Sequence, residues 1–209
     1  MNRLVLVTGF ANPESSAERV AAELACHFNY DDFDYLTLGD ALIDPVSLNQ
    51  ITKNADVFTH SAGFIALQGS HPAAIHAFNA PFASSRRRLA VQTYLRHRNE
   101  ADLRETNDPL RIDTGFAREA LAHPIKHLGP FLRGAISSCS PLALAIGARD
   151  AGIAVGLAYT DRDCYSHPTD THLLEFRARG VKVAQILGVH DELILRPAKT
   201  AYQYFTHRH

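Results

Sequence analysis

The sequence predicts an α/β protein: a doubly wound, mainly parallel six-stranded sheet with helices on both faces and an inserted helical cap. Three observations predict it. Short apolar, β-prone runs alternate with segments of helical periodicity, the pattern of parallel strands joined by helical crossovers. The alternation lapses once, between Ser84 and about Ser138, where the chain is charged, helix-prone and interrupted by Pro109, Pro124 and Pro130. One strand, finally, breaks into helix-friendly residues directly at a serine, Ser61.

In chain order, Leu4 to Val7 reads as a buried strand ending in the loop Thr8-Gly9-Phe10-Ala11-Asn12-Pro13. Ser15-Ser16-Ala17-Glu18 has the form of a capping box, and Ala17, Val20, Ala21, Leu24 and Phe28 then follow helical period. Phe33 to Leu38 reads as a second strand, Val46 to Asn54 as a short helix, and Asp56 to Thr59 as a third strand. The third strand leads through Ser61 into a helix reaching about Leu67, and Ala74 to Phe78 forms a fourth strand stopped by Asn79-Ala80-Pro81. After the interruption, Ser140-Pro141 starts a helix and Gly152 stops it. Ile153 to Tyr159 is a fifth strand, Thr169 to Arg179 a helix, Val181 to Leu187 a sixth strand and Arg196 to Phe205 a closing helix. The division is therefore a core of residues 1–83 and 139–209 with a cap of residues 84–138.

Composition excludes several classes. With 209 residues, 46% hydrophobic and 21% charged, the chain can bury the core of one ordinary globular domain. A formal net charge of −1 gives no reason to expect nucleic acid or an anionic membrane as partner, and Arg86-Arg87-Arg88 reads as the solvated face of a helix. Cys26, Cys139 and Cys164 are odd in number and lack a Cys-x-x-Cys spacing, so neither a disulfide framework nor structural zinc is expected. The N-terminal apolar run is too short for a signal peptide or membrane span, which makes the cytoplasm the expected address. Of the twelve histidines, His123 and His127 lie four apart and His207 and His209 sit in the tail, but neither pair has a third metal ligand at a telling spacing.

The segment Val57-Phe58-Thr59-His60-Ser61-Ala62-Gly63 carries the chemistry. A strand that turns into a helix within about one residue forces its apex into strained dihedrals and brings neighbouring backbones close, so the flanks two positions away must be small. Thr59 and Gly63 meet that need. The result is a hydroxyl held above the end of a sheet, with the first helical N–H groups directed at whatever it attacks. The plainer alternative is a serine that caps a helix after a buried strand.

Ligands of parallel sheets bind at the carboxyl ends of the strands, so the residues just after each strand decide between the two. They are Gly9-Phe10-Ala11, Ser61, Thr160-Asp161-Arg162-Asp163-Cys164 and Gly188-Val189-His190-Asp191-Glu192. On THSAG, YTDRD, LGVHDEL, VTGF and the position of the cap, the chain resembles the α/β-hydrolase fold family over essentially its whole length. The resemblance implies Ser61 as nucleophile, His190 as general base, Asp163 as the acid that orients it, and the N–H groups of Phe10 and Ala62 as the oxyanion hole. It departs in having Thr59 where glycine is common and in beginning at what resembles the family's third strand, which implies a trimmed sheet.

Asp161 is the alternative acid if the fifth strand ends elsewhere. Asp191 reads as a loop-capping carboxylate, His60 as a packed or hydrogen-bonded histidine pointing away from the nucleophile, His167 as a surface residue and Cys164 as a small buried hydrophobe. The resemblance implies a serine hydrolase that needs no cofactor or metal and acts on a small molecule, a carboxylic ester first. Thioesters and amides are served by the same machinery, and a non-catalytic ligand- or partner-binding protein of this fold is the reading from a different class. Leu95, Leu103, Phe116, Leu121 and Phe131 of the cap would line the substrate side.

Overall fold

The computed structural model describes residues 2–9, 12, 14–80, 122–124, 141–163 and 168–207. The cap predicted over residues 84–138, with the five apolar residues assigned to its substrate side, lies outside the described residues apart from 122–124.

Six strands form one sheet: β1 (Arg3–Val7), β2 (Asp32–Leu36), β3 (Asp56–His60), β4 (Ala74–Phe78), β5 (Ala154–Arg162) and β6 (Lys182–Val189). Their order is β2-β1-β3-β4-β5-β6, and every pairing is parallel. The helices are α1 (Glu14–Phe28), α2 (Leu38–Ile43), α3 (Pro45–Thr52), α4 (Gly63–Ala66), α5 (Pro141–Asp150), α6 (Asp170–Ala178), α7 (Glu192–Leu195) and α8 (Pro197–His207). Among the described residues no helix is long and apolar enough to cross a membrane.

Strand side chains alternate between two buried clusters, as period-two geometry requires. Val5, Val7, Val57, Ile75, Leu157 and Val183 pack with α2 to α6 on one face. Leu4, Leu6, Phe58, Phe78, Ala158 and Ile186 pack with α1, α7 and α8 on the other. Both faces of the inner strands are covered, which is why β1 reads as a continuous apolar run in the sequence, whereas the edge strand β2 is only partly buried.

Boundaries move where side chains cap the backbone. The second strand ends at Leu36, not Leu38, because Thr37 opens α2: its hydroxyl accepts from the Asp40 N–H at 3.3 Å and the Asp40 carboxylate accepts from the Thr37 N–H at 3.2 Å. Asp44 then caps α3 by accepting from the Ser47 N–H at 3.0 Å, with Pro45 in the first turn. The first helix begins at Glu14, so Ser15 lies within its first turn, where the Glu14 carboxylate suits the helix dipole. The fifth strand runs three residues past Tyr159, because β6 continues to Val189 and pairs with it as far as Arg162. That shift carries Asp163 from the fourth residue after the strand to the first.

Two glycines make opposite demands. A Cβ on Gly63 would stand 2.3 Å from the Val7 carbonyl oxygen and 2.7 Å from that of Thr8, so α4 sits directly on the end of β1. A Cβ on Gly147, exposed within α5, would meet nothing within 4 Å. Gly147→Ala is expected to stabilise by about 0.5–1 kcal/mol through helix propensity. Gly63→Ala is expected to cost about 3 kcal/mol or more, since its clash is with backbone and not with a movable side chain. Urea unfolding of the two variants measures both; equal effects would overturn the close approach of α4 to β1.

Candidate active site

Ser61 follows the last residue of β3 and has a backbone φ of +51°, a left-handed conformation that costs a non-glycine residue of order 1–3 kcal/mol. The surroundings hold it there. Its N–H donates to the Phe78 carbonyl at 2.8 Å, extending the β3–β4 ladder one step. Ala62, at φ −64° and ψ −14°, already has helical dihedrals, and α4 begins at the next residue. On the other side the loop after β1 approaches so closely that a Cβ on Gly9 would lie 2.8 Å from Ser61 Cβ and 3.3 Å from its Oγ. Thr59 is fully buried, and among the described residues its hydroxyl has no hydrogen-bond partner, so it serves there as a small side chain.

Asp163 and His190 meet at the same edge of the sheet. His190 Nδ1 lies 2.9 Å from Asp163 Oδ1, and both residues are buried. A carboxylate oxygen accepts, so Nδ1 carries a proton, and in the neutral ring Nε2 then keeps its lone pair. Asp161 is engaged elsewhere: its Oδ1 accepts from the Gly188 N–H at 2.8 Å, pinning the end of β6 to β5. Gly188 has a φ of +148°, and a Cβ there would lie 2.6 Å from the Glu192 side chain. Glu192 is itself buried and folds back, accepting from the Val189 N–H at 3.3 Å and from Arg196 Nη1 at 2.8 Å.

The strand order sets a geometric problem. Two strands separate β3 from β6, so their axes stand about 14 Å apart at ordinary spacing. The loop after β6 therefore has to lean back across the ends of β5 and β4. It does: the His190 carbonyl accepts from Asn79 Nδ2, just beyond β4, at 2.5 Å, and from His60 Nε2, at the end of β3, at 3.0 Å. The His60 and His190 rings are 5.1 Å apart, centroid to centroid. Among the described residues no hydrogen bond joins Ser61 Oγ to His190; nucleophile–base contacts are commonly long before substrate binds.

His60 is 2% exposed, and burial, followed by the neighbouring His190, lowers its pKa from 6.5 to about 3. It is neutral. Its Nε2 donates to the His190 carbonyl, so Nδ1 is the acceptor, 3.4 Å from Asn12 Nδ2. Asp191 does not cap the following helix with its side chain: its backbone carbonyl accepts from the Ile194 and Leu195 N–H groups, and its Oδ1 lies 3.4 Å from His60 Nε2. His60, His190 and Asp191 bring three potential ligand atoms within 4.8 Å of one another. The Nε2 of His60 and the Nδ1 of His190 are already engaged, on the His190 carbonyl and on Asp163.

Phe10, His127, Cys139, Cys164, His167 and His209 lie outside the described residues. Cys26 is a free, exposed thiol and His123 is exposed. Two site residues have no counterpart in the sequence reading: Asn79, which there only stops a strand, and Asn12, which there is part of a loop. The available signal for Asn79 was an asparagine directly after a buried strand, the residue type that best tolerates left-handed dihedrals.

No family model and no curated protein matches the chain. Solved structures do. A structure from work on carboxylesterases of Nitrososphaera gargenis is 16% identical, with 98% of this chain and 88% of that one covered and a TM-score of 0.60. A hydrolase from Oleispira antarctica is 10% identical, covering 99% and 90%, with a TM-score of 0.62. A thioesterase domain from the curacin biosynthetic pathway is 12% identical, covering 98% and 91%, with a TM-score of 0.56. At these identities the likeness is one of fold.

The neutral state of His60 makes stability pH-dependent with a definite sign. Between about 3 and 6.5 the unfolded chain binds a proton that folded His60 refuses, so stability falls as pH is lowered through that window. His60→Gln is expected to flatten the slope of unfolding free energy against pH by up to about 1.4 kcal/mol per pH unit within it. Urea titrations across the window measure this; an unchanged slope would mean that His60 is not held neutral.

Proposed function

The chain has the α/β-hydrolase fold, and on that premise we infer that it is a serine hydrolase working through an acyl-enzyme. The observation that carries the reading is the buried Asp163–His190 pair at 2.9 Å, on the same sheet edge as a serine held at positive φ. Neither a helix-capping serine nor a mere packing histidine requires both.

In the proposed reaction Ser61 Oγ attacks the substrate carbonyl while His190 Nε2 takes its proton. Asp163, bonded to Nδ1–H, fixes the tautomer and stabilises the imidazolium that forms. The oxyanion is received by the N–H groups of Ala62 and Phe10, the first lying where β3 turns into α4. His190 then protonates the leaving group and activates water against the acyl-serine. No cofactor enters these steps. A small carboxylic ester is the proposed substrate, supported by the esterase among the structural neighbours; a thioester or amide is the alternative, and the thioesterase neighbour supports the former.

A fluorophosphonate probe is expected to add once to the wild-type protein and not to Ser61→Ala, read by intact mass. Persistence of the adduct in the variant would place the nucleophile elsewhere. On p-nitrophenyl acetate, Asp163→Asn is expected to lower kcat by about 10⁴, the size of the loss when the same swap favours the wrong tautomer in another triad enzyme. Asp161→Asn loses only part of the bond to the Gly188 N–H and is expected to cost far less. Reversed effects would make Asp161 the acid.

A further inference from the structure

We propose that Asn79 and His60 are positioning residues for the base, holding the backbone carbonyl of His190 so that the ends of β3 and β4 set where the imidazole stands. The proposal rests on the reading of His190 as general base, and its geometry is independent of any substrate. The His190 carbonyl accepts from two buried side chains at once, on two different strand ends. A carbonyl has two lone pairs, and both are used.

Asn79 is shaped for this task at a cost. It is 2% exposed and sits at a φ of +50°, and its N–H donates to the Ala158 carbonyl at 2.8 Å. Its side-chain Oδ1 accepts from the Thr160 N–H at 2.8 Å and lies 3.2 Å from the Thr160 hydroxyl, while Nδ2 faces the His190 carbonyl. A backbone donor on one side and a backbone acceptor on the other fix the amide orientation, since a flip would set like against like twice. Thr160 in turn accepts from the Asp163 N–H at 3.3 Å. One side chain thus spans the turn that carries the acid and the loop that carries the base. His60 supplies the second hold, braced by Asn12. The leaning of the β6 loop across β5 and β4 is what these bonds maintain.

Asn79→Asp keeps the acceptor for Thr160 and replaces the donor to His190 by a carboxylate oxygen. His60→Leu removes the donor at similar volume, and His60→Gln restores an N–H at similar reach. Turnover of p-nitrophenyl acetate is expected to fall about 10- to 100-fold in Asn79→Asp and His60→Leu with KM within about twofold, the scale of an ångström-sized misplacement of a catalytic group. His60→Gln is expected to recover much of what His60→Leu loses. Proton NMR supplies a readout free of activity: the hydrogen-bonded Nδ1–H of His190, identified by its loss in His190→Gln, is expected far downfield in the wild type and shifted or exchange-broadened in Asn79→Asp and His60→Leu. Folded variants with unchanged kcat and an unmoved resonance would overturn the proposal. Should Asn79→Asp fail to fold, the His60 pair decides. A wild type that neither hydrolyses the ester nor takes up fluorophosphonate would overturn the hydrolase reading alone, and the resonance would still judge the positioning.

Discussion

The contact on which the site depends is the one between Gly63 and the carbonyl oxygens that end β1. With 2.3 Å and 2.7 Å between those oxygens and any Cβ at this position, α4 can lie where it does only on a residue without a side chain. A helix so close to the sheet leaves no room for a loop after β3, so the change from extended to helical backbone is completed within Ser61 and Ala62. The strain is concentrated on Ser61, at φ +51°, and the buried neighbours on both sides keep it from relaxing. Gly9 repeats the condition from the opposite direction. The strained position of Ser61 at the end of β3 is thus a consequence of backbone packing, and the serine itself contributes little to it.

The second half of the site answers a different constraint, distance. Because β4 and β5 lie between β3 and β6, a residue after β6 reaches the β3 edge only if its loop folds back over the intervening ends. The loop is tied down along its course by groups that are otherwise costly to bury. Asp161 takes the Gly188 N–H, Glu192 takes the Val189 N–H, and Asn79 and His60 take up the His190 carbonyl. Each buried polar atom in this chain of contacts meets a partner of the opposite kind, which is the condition under which such a network adds order instead of cost.

Charge is handled by the same economy. His60 and His190 stand 5.1 Å apart in a buried region, and two imidazolium ions there would repel each other with little solvent to screen them. Burial removes the difficulty by keeping His60 neutral, with its pKa near 3. The carboxylate beside His190 Nδ1 faces the one imidazole whose proposed chemistry requires a positive charge. Neighbouring histidines of one type are thereby given different work by environment alone.

Much of the fold is local and therefore legible in the chain. Apolar runs of strand length, helical periodicity in Ala17 to Leu24, and the Thr59-x-Ser61-x-Gly63 spacing depend on residues within a turn or a strand of each other, and they predicted the six strands and the break at Ser61. The Thr37–Asp40 capping box is a local signal too: it ends β2 at Leu36, two residues before Leu38, and opens α2. What the sequence could not express is anything set by the order of strands across the sheet. Whether Asp161 or Asp163 faces His190 turns on how far β5 pairs with β6: pairing as far as Arg162 keeps Asp161 within the strand, where its carboxylate takes the Gly188 N–H, and leaves Asp163 as the first residue beyond it. Likewise Asn79, read only as the end of a strand, meets residue 190 because β4 lies between β3 and β6 on the path of that loop. These contacts join residues 27 positions apart in one case and 111 in the other, and hydrophobic pattern, which records only which face is buried, carries no trace of them.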